Sequence, residues 1–121
     1  GVVFITGHAK LGGDDGVDWV ALAKTAHQAK LTLVIYMGMR GAAALQAMLL
    51  QGLRADTPVA IVHQVSLPTQ RHAVCTLAEL HHTVVREKLT SPSVIVVGDV
   101  FKGLLEMQHH AAANVPQAAQ G

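Results

Sequence analysis

The side chains with the chemistry to hold a ligand gather where apolar runs end. His8 follows "VVFITG" in a glycine-flanked loop, Met37 and Gly38 close "TLVIYMG", and Arg40 and Arg71 sit just past strand-end positions. An imidazole in an open loop can meet a substrate either neutral or charged. A thioether packs on a flat ring such as adenine, and glycine lets a ligand touch the backbone, at Gly38 and again at Gly98 in "VGDV". Two guanidinium forks bind carboxylates bidentately, which would suit a polycarboxylate substrate. Each feature also has a plainer reading: Met37 fills the core, the glycines turn the chain, His8 is a satisfied structural histidine, and the arginines are solvated.

Other chemistries have less support. "GGDD" lacks the spacing of a phosphate loop, and Asp14 and Asp15 would repel an anion, so it reads as a surface loop. Of the eight histidines, His81 and His82 are adjacent and would diverge by about 100° on a helix. His109 and His110 sit in the tail, and His27 and His63 are isolated, so no metal site is expected. Cys75 alternates with apolar residues and reads as core. No Ser-His-Asp or Cys-His arrangement has local support.

The elements that must position these residues follow from periodicity. Short apolar, β-rich runs predict strands at Val2 to Thr6, Thr32 to Met37, Pro58 to Val65 and Val94 to Gly98. "RHAVCTL", Arg71 to Leu77, alternates as a further short strand. Asp18 caps a helix from Trp19, with Leu22, Ala23, Ala26 and Ala29 on its apolar side. A second helix spans Gly41 to Gly52, facing inward with Ala42, Leu45, Met48 and Leu49 and closed by a left-handed Gly52. A third runs from Leu77 to Leu89 behind a Thr76/Glu79 capping box. The tail from Phe101 opens as a short helix and then frays. The order β, α, β, α, β, β, α, β predicts a single α/β layered domain with a mixed sheet of about five strands flanked by helices. In such sheets ligands collect beyond strand carboxyl ends, so "TGH", "YMG" and "VGDV" form the expected site.

With 121 residues, half of them apolar, the chain can build one domain with a real core. A net charge of +1 and 3% aromatics exclude a nucleic-acid surface. No run approaches the roughly 18 apolar residues of a membrane helix. One cysteine fits a reducing, cytoplasmic setting.

Taken together, "FITGH", "DWVALA", "TLVIYMGM", "TPVAIV…TQR" and "SPSVIVVGDV" resemble the second half of the uroporphyrinogen-III C-methyltransferases, a branch of the tetrapyrrole methylases. The likeness covers about residues 2 to 100, with 101–121 as a tail. It implies transfer of two methyl groups from S-adenosylmethionine to C2 and C7 of uroporphyrinogen III, giving precorrin-2 and S-adenosylhomocysteine for siroheme, cobalamin and related cofactors. It also implies a homodimer whose subunits have two α/β domains with the ligands between them. By the same resemblance Tyr36, Met37 and Gly38 meet the cofactor, joined by Val65, where relatives often carry glycine, and by Gly98 and Val100 near the adenine. Thr6 and His8, with Arg40 and Arg71, are the implied substrate contacts. The glycine-rich cofactor motifs and the acid and base of the family's first domain are absent from this sequence. The chain is therefore expected to be an isolated second domain, inactive alone. The alternatives are another precorrin methyltransferase of the same fold and a non-catalytic dimerising domain.

Overall fold

A computed structural model describes residues 1–7, 18–63, 71–89 and 93–106. His8, Val65, the "GGDD" loop and the chain beyond residue 106 lie outside the described residues, and Thr6, Gly7 and Arg71 are placed by their backbone alone. Five strands, β1 (Val2–Gly7), β2 (Thr32–Met37), β3 (Pro58–His63), β4 (Arg71–Thr76) and β5 (Ser93–Val97), form one sheet in the order β1-β2-β5-β3-β4. Only β1 and β2 run parallel; β5 lies between β2 and β3, antiparallel to both, and β4 is antiparallel to β3. The sheet is thus mixed, as expected, although the β3–β4 hairpin supplies only part of the antiparallel pairing.

Continuous apolarity in β2, β3 and β5 answers to cover on both faces. Helices α1 (Trp19–Ala29), α2 (Ala42–Leu49) and α3 (Leu80–Arg86) bury one face. There Leu33, Ile35, Ile61, Ile95 and Val97 meet Trp19, Ala23, Leu45, Leu49, Leu80 and Val84. The other face holds Val34, Ala60, Val62, Val94 and Val96, with Val100 and Leu104 of a fourth helix, α4 (100–106), packed against them. Burial of an aliphatic side chain stabilises by roughly 1.5–3 kcal/mol, so these two clusters are the main source of stability.

The helix ends show where local signals prevailed and where tertiary contacts overrode them. Asp18 caps α1, its carboxylate accepting from the Ala21 N–H at 3.0 Å. Ala29, expected on the apolar side, is exposed at the helix end. Lys30 follows in the left-handed region (φ 54°), and the Leu31 N–H donates back to the Ala26 carbonyl at 2.9 Å. The expected capping box at Thr76 does not form: its side chain makes no cap hydrogen bond. The Leu77 and Ala78 N–H groups donate to the carbonyls of Thr57 (2.8 Å) and Ala55 (3.1 Å). Gln46 of α2 then spans the gap, donating from Nε2 to the Ala78 carbonyl (3.1 Å) and accepting the His81 N–H at Oε1 (2.7 Å). Residues Leu77–Glu79 consequently form a 3-10 turn, and α3 begins only at Leu80.

Gly52 is also corrected. Among the described glycines only Gly98 has a positive φ, so Gly52 is no left-handed cap. Its lack of a side chain serves close approach: a Cβ there would lie 2.5 Å from the Lys24 nitrogen and 2.8 Å from the Ala23 Cβ of α1. Backbone cannot yield as a flexible side chain can. Gly52→Ala is therefore expected to destabilise the fold by about 1–3 kcal/mol in chemical denaturation; an unchanged midpoint would contradict this contact.

Cys75 is half-buried on β4, where burial pushes its thiol above the usual range and the neighbouring Thr83 hydroxyl pulls weakly the other way. The reactive thiolate is thus scarce at neutral pH. Alkylation by iodoacetamide at pH 8 should run about tenfold slower in the folded than in the urea-unfolded chain, and equal rates would show the thiol to be open.

Candidate functional site

Strand direction decides which of the expected residues can meet. β1, β2 and β3 all point the same way, so their carboxyl ends share one rim with the amino ends of β4 and β5. The last register row on that rim crosses the whole sheet: Gly7, Met37, Ser93, His63 and Arg71. The next row inward reads Thr6, Tyr36, Val94, Val62 and His72. Residues opposed in register share a face. Met37, Ser93 and His63 therefore look toward α1–α3, and Tyr36 toward the second face.

The structure brings together Thr6, Tyr36, Met37 and Gly38 by backbone position, with Arg40 in the 3-10 turn Met39–Gly41 just beyond, and places Arg71 on the same rim but at the far edge of the sheet, three strands and roughly 14 Å from Met37. It separates Gly98 and Val100 from them. Because β5 runs against its neighbours, its carboxyl end lies at the opposite rim, five residues of strand and roughly 16 Å away. There the Gly98 N–H donates to the Pro58 carbonyl at 2.9 Å, and a Cβ on Gly98 would stand 3.2 Å from the Leu31 carbonyl oxygen. With φ at 111°, Gly98 is explained by this tight passage behind the starts of β2 and β3. Val100 packs into the second core cluster, and Asp99 accepts the Lys102 N–H at 3.0 Å at the start of α4. The expected grouping of three strand tips is corrected to two, those of β1 and β2, with β3 as the third on the same rim.

Met37 also differs from expectation. Its side chain is 2% exposed and lies within the main core, so the thioether is floor rather than wall. The strand's alternation instead leaves Tyr36, 47% exposed, as the aromatic face at this rim. Gly38 follows with φ −74° and ψ 147°, a backbone open to any residue. A Cβ on Gly38 would meet no described atom within 4 Å. Neither backbone conformation nor packing within the described chain calls for glycine there. Arg40 is exposed beside it.

One pair at the rim escaped the sequence reading, which took His63 as isolated. His63, 5% exposed, and Ser93, fully buried, share a 2.8 Å hydrogen bond between Nδ1 and Oγ. The sequence signal is a polar residue abutting each of two apolar runs, at the end of "VAIV" and the start of "VIVV". It becomes legible only once β3 and β5 are known to be antiparallel neighbours. No group of three or more His, Cys, Asp or Glu among the described residues could hold a metal ion, and no described helix is long and apolar enough to cross a membrane.

The sequence profile of the Tetrapyrrole (Corrin/Porphyrin) Methylases matches residues 2–81. The siroheme synthase of Thiobacillus denitrificans is 40% identical over 119 residues, 98% of this chain and 23% of that protein. The uroporphyrinogen-III C-methyltransferase of Bacillus subtilis is 39% identical over 100 residues, 82% of this chain and 37% of that protein. Among solved structures, the uroporphyrin-III C-methyltransferase of Thermus thermophilus complexed with S-adenosylhomocysteine matches with a TM-score of 0.63 at 24% identity, covering 84% of this chain and 43% of that one. A cobalt precorrin-4 methyltransferase matches with a TM-score of 0.67 at 17% identity, covering 81% and 40%. At those identities the structural likeness is one of fold. The chain spans about a quarter to two fifths of the length of these relatives. On the profile and on the identity spread over nearly all its residues, the chain belongs to the tetrapyrrole methylase family.

Proposed function

We propose that this chain is the second-domain half (residues 1–100, with 101–121 as a tail) of an S-adenosylmethionine-dependent uroporphyrinogen-III C-methyltransferase. Its reaction would methylate C2 and C7 to give precorrin-2, in a homodimer of the reducing cytoplasm. The observation that carries the reading is Gly38, a glycine that the described fold does not require, on the rim where sheets of this class receive ligands. Family membership and the named activity of the Bacillus subtilis relative support it.

S-adenosylmethionine would supply an electrophilic methyl group and the tetrapyrrole carbon the electrons, so that a C–C bond would form as the C–S bond breaks; C2 and C7 already carry a side chain and no hydrogen, so the balancing proton would leave from another position of the macrocycle. The chain's own part is to position. Gly38 and the Met37 backbone let the nucleoside come close, and the exposed Tyr36 ring offers it an apolar face. Val65 lies outside the described residues and remains part of this reading as a pocket-lining position. Arg40, Arg71, Thr6 and His8 are assigned to the substrate, the arginines to its carboxylates. In-line transfer needs the reacting atoms at roughly 3–3.5 Å, which calls for both walls of a cleft. The fragment alone is accordingly assigned no turnover. A second reading, a dimerising domain without catalysis, is favoured by one observation. Tyr36 and Val74, 47% and 71% exposed, present apolar surface on the same side of the sheet.

Titration calorimetry with S-adenosylhomocysteine tests the reading in the full-length gene product. Binding is expected there, with at least about tenfold loss in Gly38→Ala and a melting temperature unchanged or slightly raised, since the new methyl meets no described atom. Equal affinity in Gly38→Ala would remove the carrying observation. No binding by the full-length protein would favour the dimerising domain, and turnover by the fragment above a no-enzyme control would refute its assigned inactivity.

A further inference from the structure

We infer that His63 is a further cofactor-contact residue of this rim, acting through Nε2, and that Ser93 is its positioning partner. The inference rests on the cofactor reading above. His63 occupies the terminal row of β3, and Ser93, its register partner on β5, is in turn the register partner of Met37. The three side chains therefore stand side by side on the helix-covered face, directly under the backbone that leads into Gly38. Met37 is apolar, and the Ser93 hydroxyl is already engaged with Nδ1 at 2.8 Å. Nε2 of His63 has no partner among the described residues. A ring that is 5% exposed thus holds at the rim one nitrogen without a partner among the described residues, and a largely desolvated polar group in that state is costly. A bound nucleoside, whose sugar and amino-acid ends are rich in hydroxyl, ammonium and carboxylate groups, supplies that partner. The serine fixes which nitrogen faces it, because engaging Nδ1 sets the ring's orientation.

Asparagine and glutamine separate the two ring nitrogens. His63→Asn keeps an amide atom where Nδ1 bonds Ser93 and has nothing at the Nε2 position; His63→Gln does the reverse. In the full-length gene product, S-adenosylhomocysteine affinity should fall at least about tenfold in His63→Asn and stay within about threefold in His63→Gln. Ser93→Ala should weaken binding by a smaller factor. In the unaltered protein, the 15N resonance of His63 Nε2 should shift on addition of S-adenosylhomocysteine, while Nδ1 moves little. Wild-type affinity in His63→Asn with an intact melting transition, or an Nε2 resonance unmoved by saturating ligand, would overturn the inference while leaving the cofactor reading in place. Failure of the unaltered protein to bind would defeat that reading and this inference with it. Should His63→Asn not fold, the resonance measurement decides alone.

Discussion

The antiparallel insertion of β5 between β2 and β3 is the constraint from which the rest of the molecule follows. Every residue of β5 is buried, so its two faces anchor both hydrophobic clusters at once. Its direction fixes which strand ends meet. Had it run parallel to β2 and β3, Gly98 would stand beside Met37. Reversed, it delivers Ser93 to that place and sends Gly98 to the far edge. A slip of a single residue would exchange the faces of Ile95 and Val96 and empty both clusters, so the register is held strongly.

That register divides labour at the rim. The helix-covered face receives the groups that must be shielded from water: the Met37 thioether and the His63–Ser93 hydrogen bond. The other face presents the Tyr36 ring, and the chain between them passes through Gly38 without a side chain. A buried hydrogen bond is stronger in such surroundings than in water, and it leaves little freedom to the ring it holds. Among the described residues, the candidate site residues are thus carried on strand ends whose positions are set by core packing, with the turn at Met39–Gly41 added.

Much of the fold was legible in the sequence, because the strands are continuous apolar runs and α1 has a cap that works locally. All five strands and three main helices fall where periodicity placed them, within a residue or two at most described ends. What failed was non-local. Strand order cannot be read from chain order, so Gly98 was grouped with the wrong edge. Thr76 and Glu79 carry the letters of a capping box, yet Thr76 makes no side-chain cap, and the turn is held instead by the Leu77, Ala78 and His81 N–H groups bonding to the Thr57 and Ala55 carbonyls and the Gln46 side chain. Gly52 was read by backbone conformation when the proximity of α1 was the cause. At the candidate site, Tyr36, Gly38 and Arg40 could be placed on one rim from the sequence; the burial of Met37 and the His63–Ser93 pair depend on pairing across strands distant in sequence.

The strand at the middle of the sheet is also the last of the five in the chain. Until residues 93–97 leave the ribosome, β2 and β3 have no shared neighbour and each shows the solvent a bare row of amides and carbonyls. Two half-sheets, β1 with β2 and β3 with β4, must therefore wait as separate hairpin-sized pieces, bridged only by helices. Closure of the sheet requires joining segments some sixty residues apart, a step whose entropic cost grows with loop length and slows folding. The nascent domain passes through a stage in which its future centre is an open slot between two unpaired strand edges.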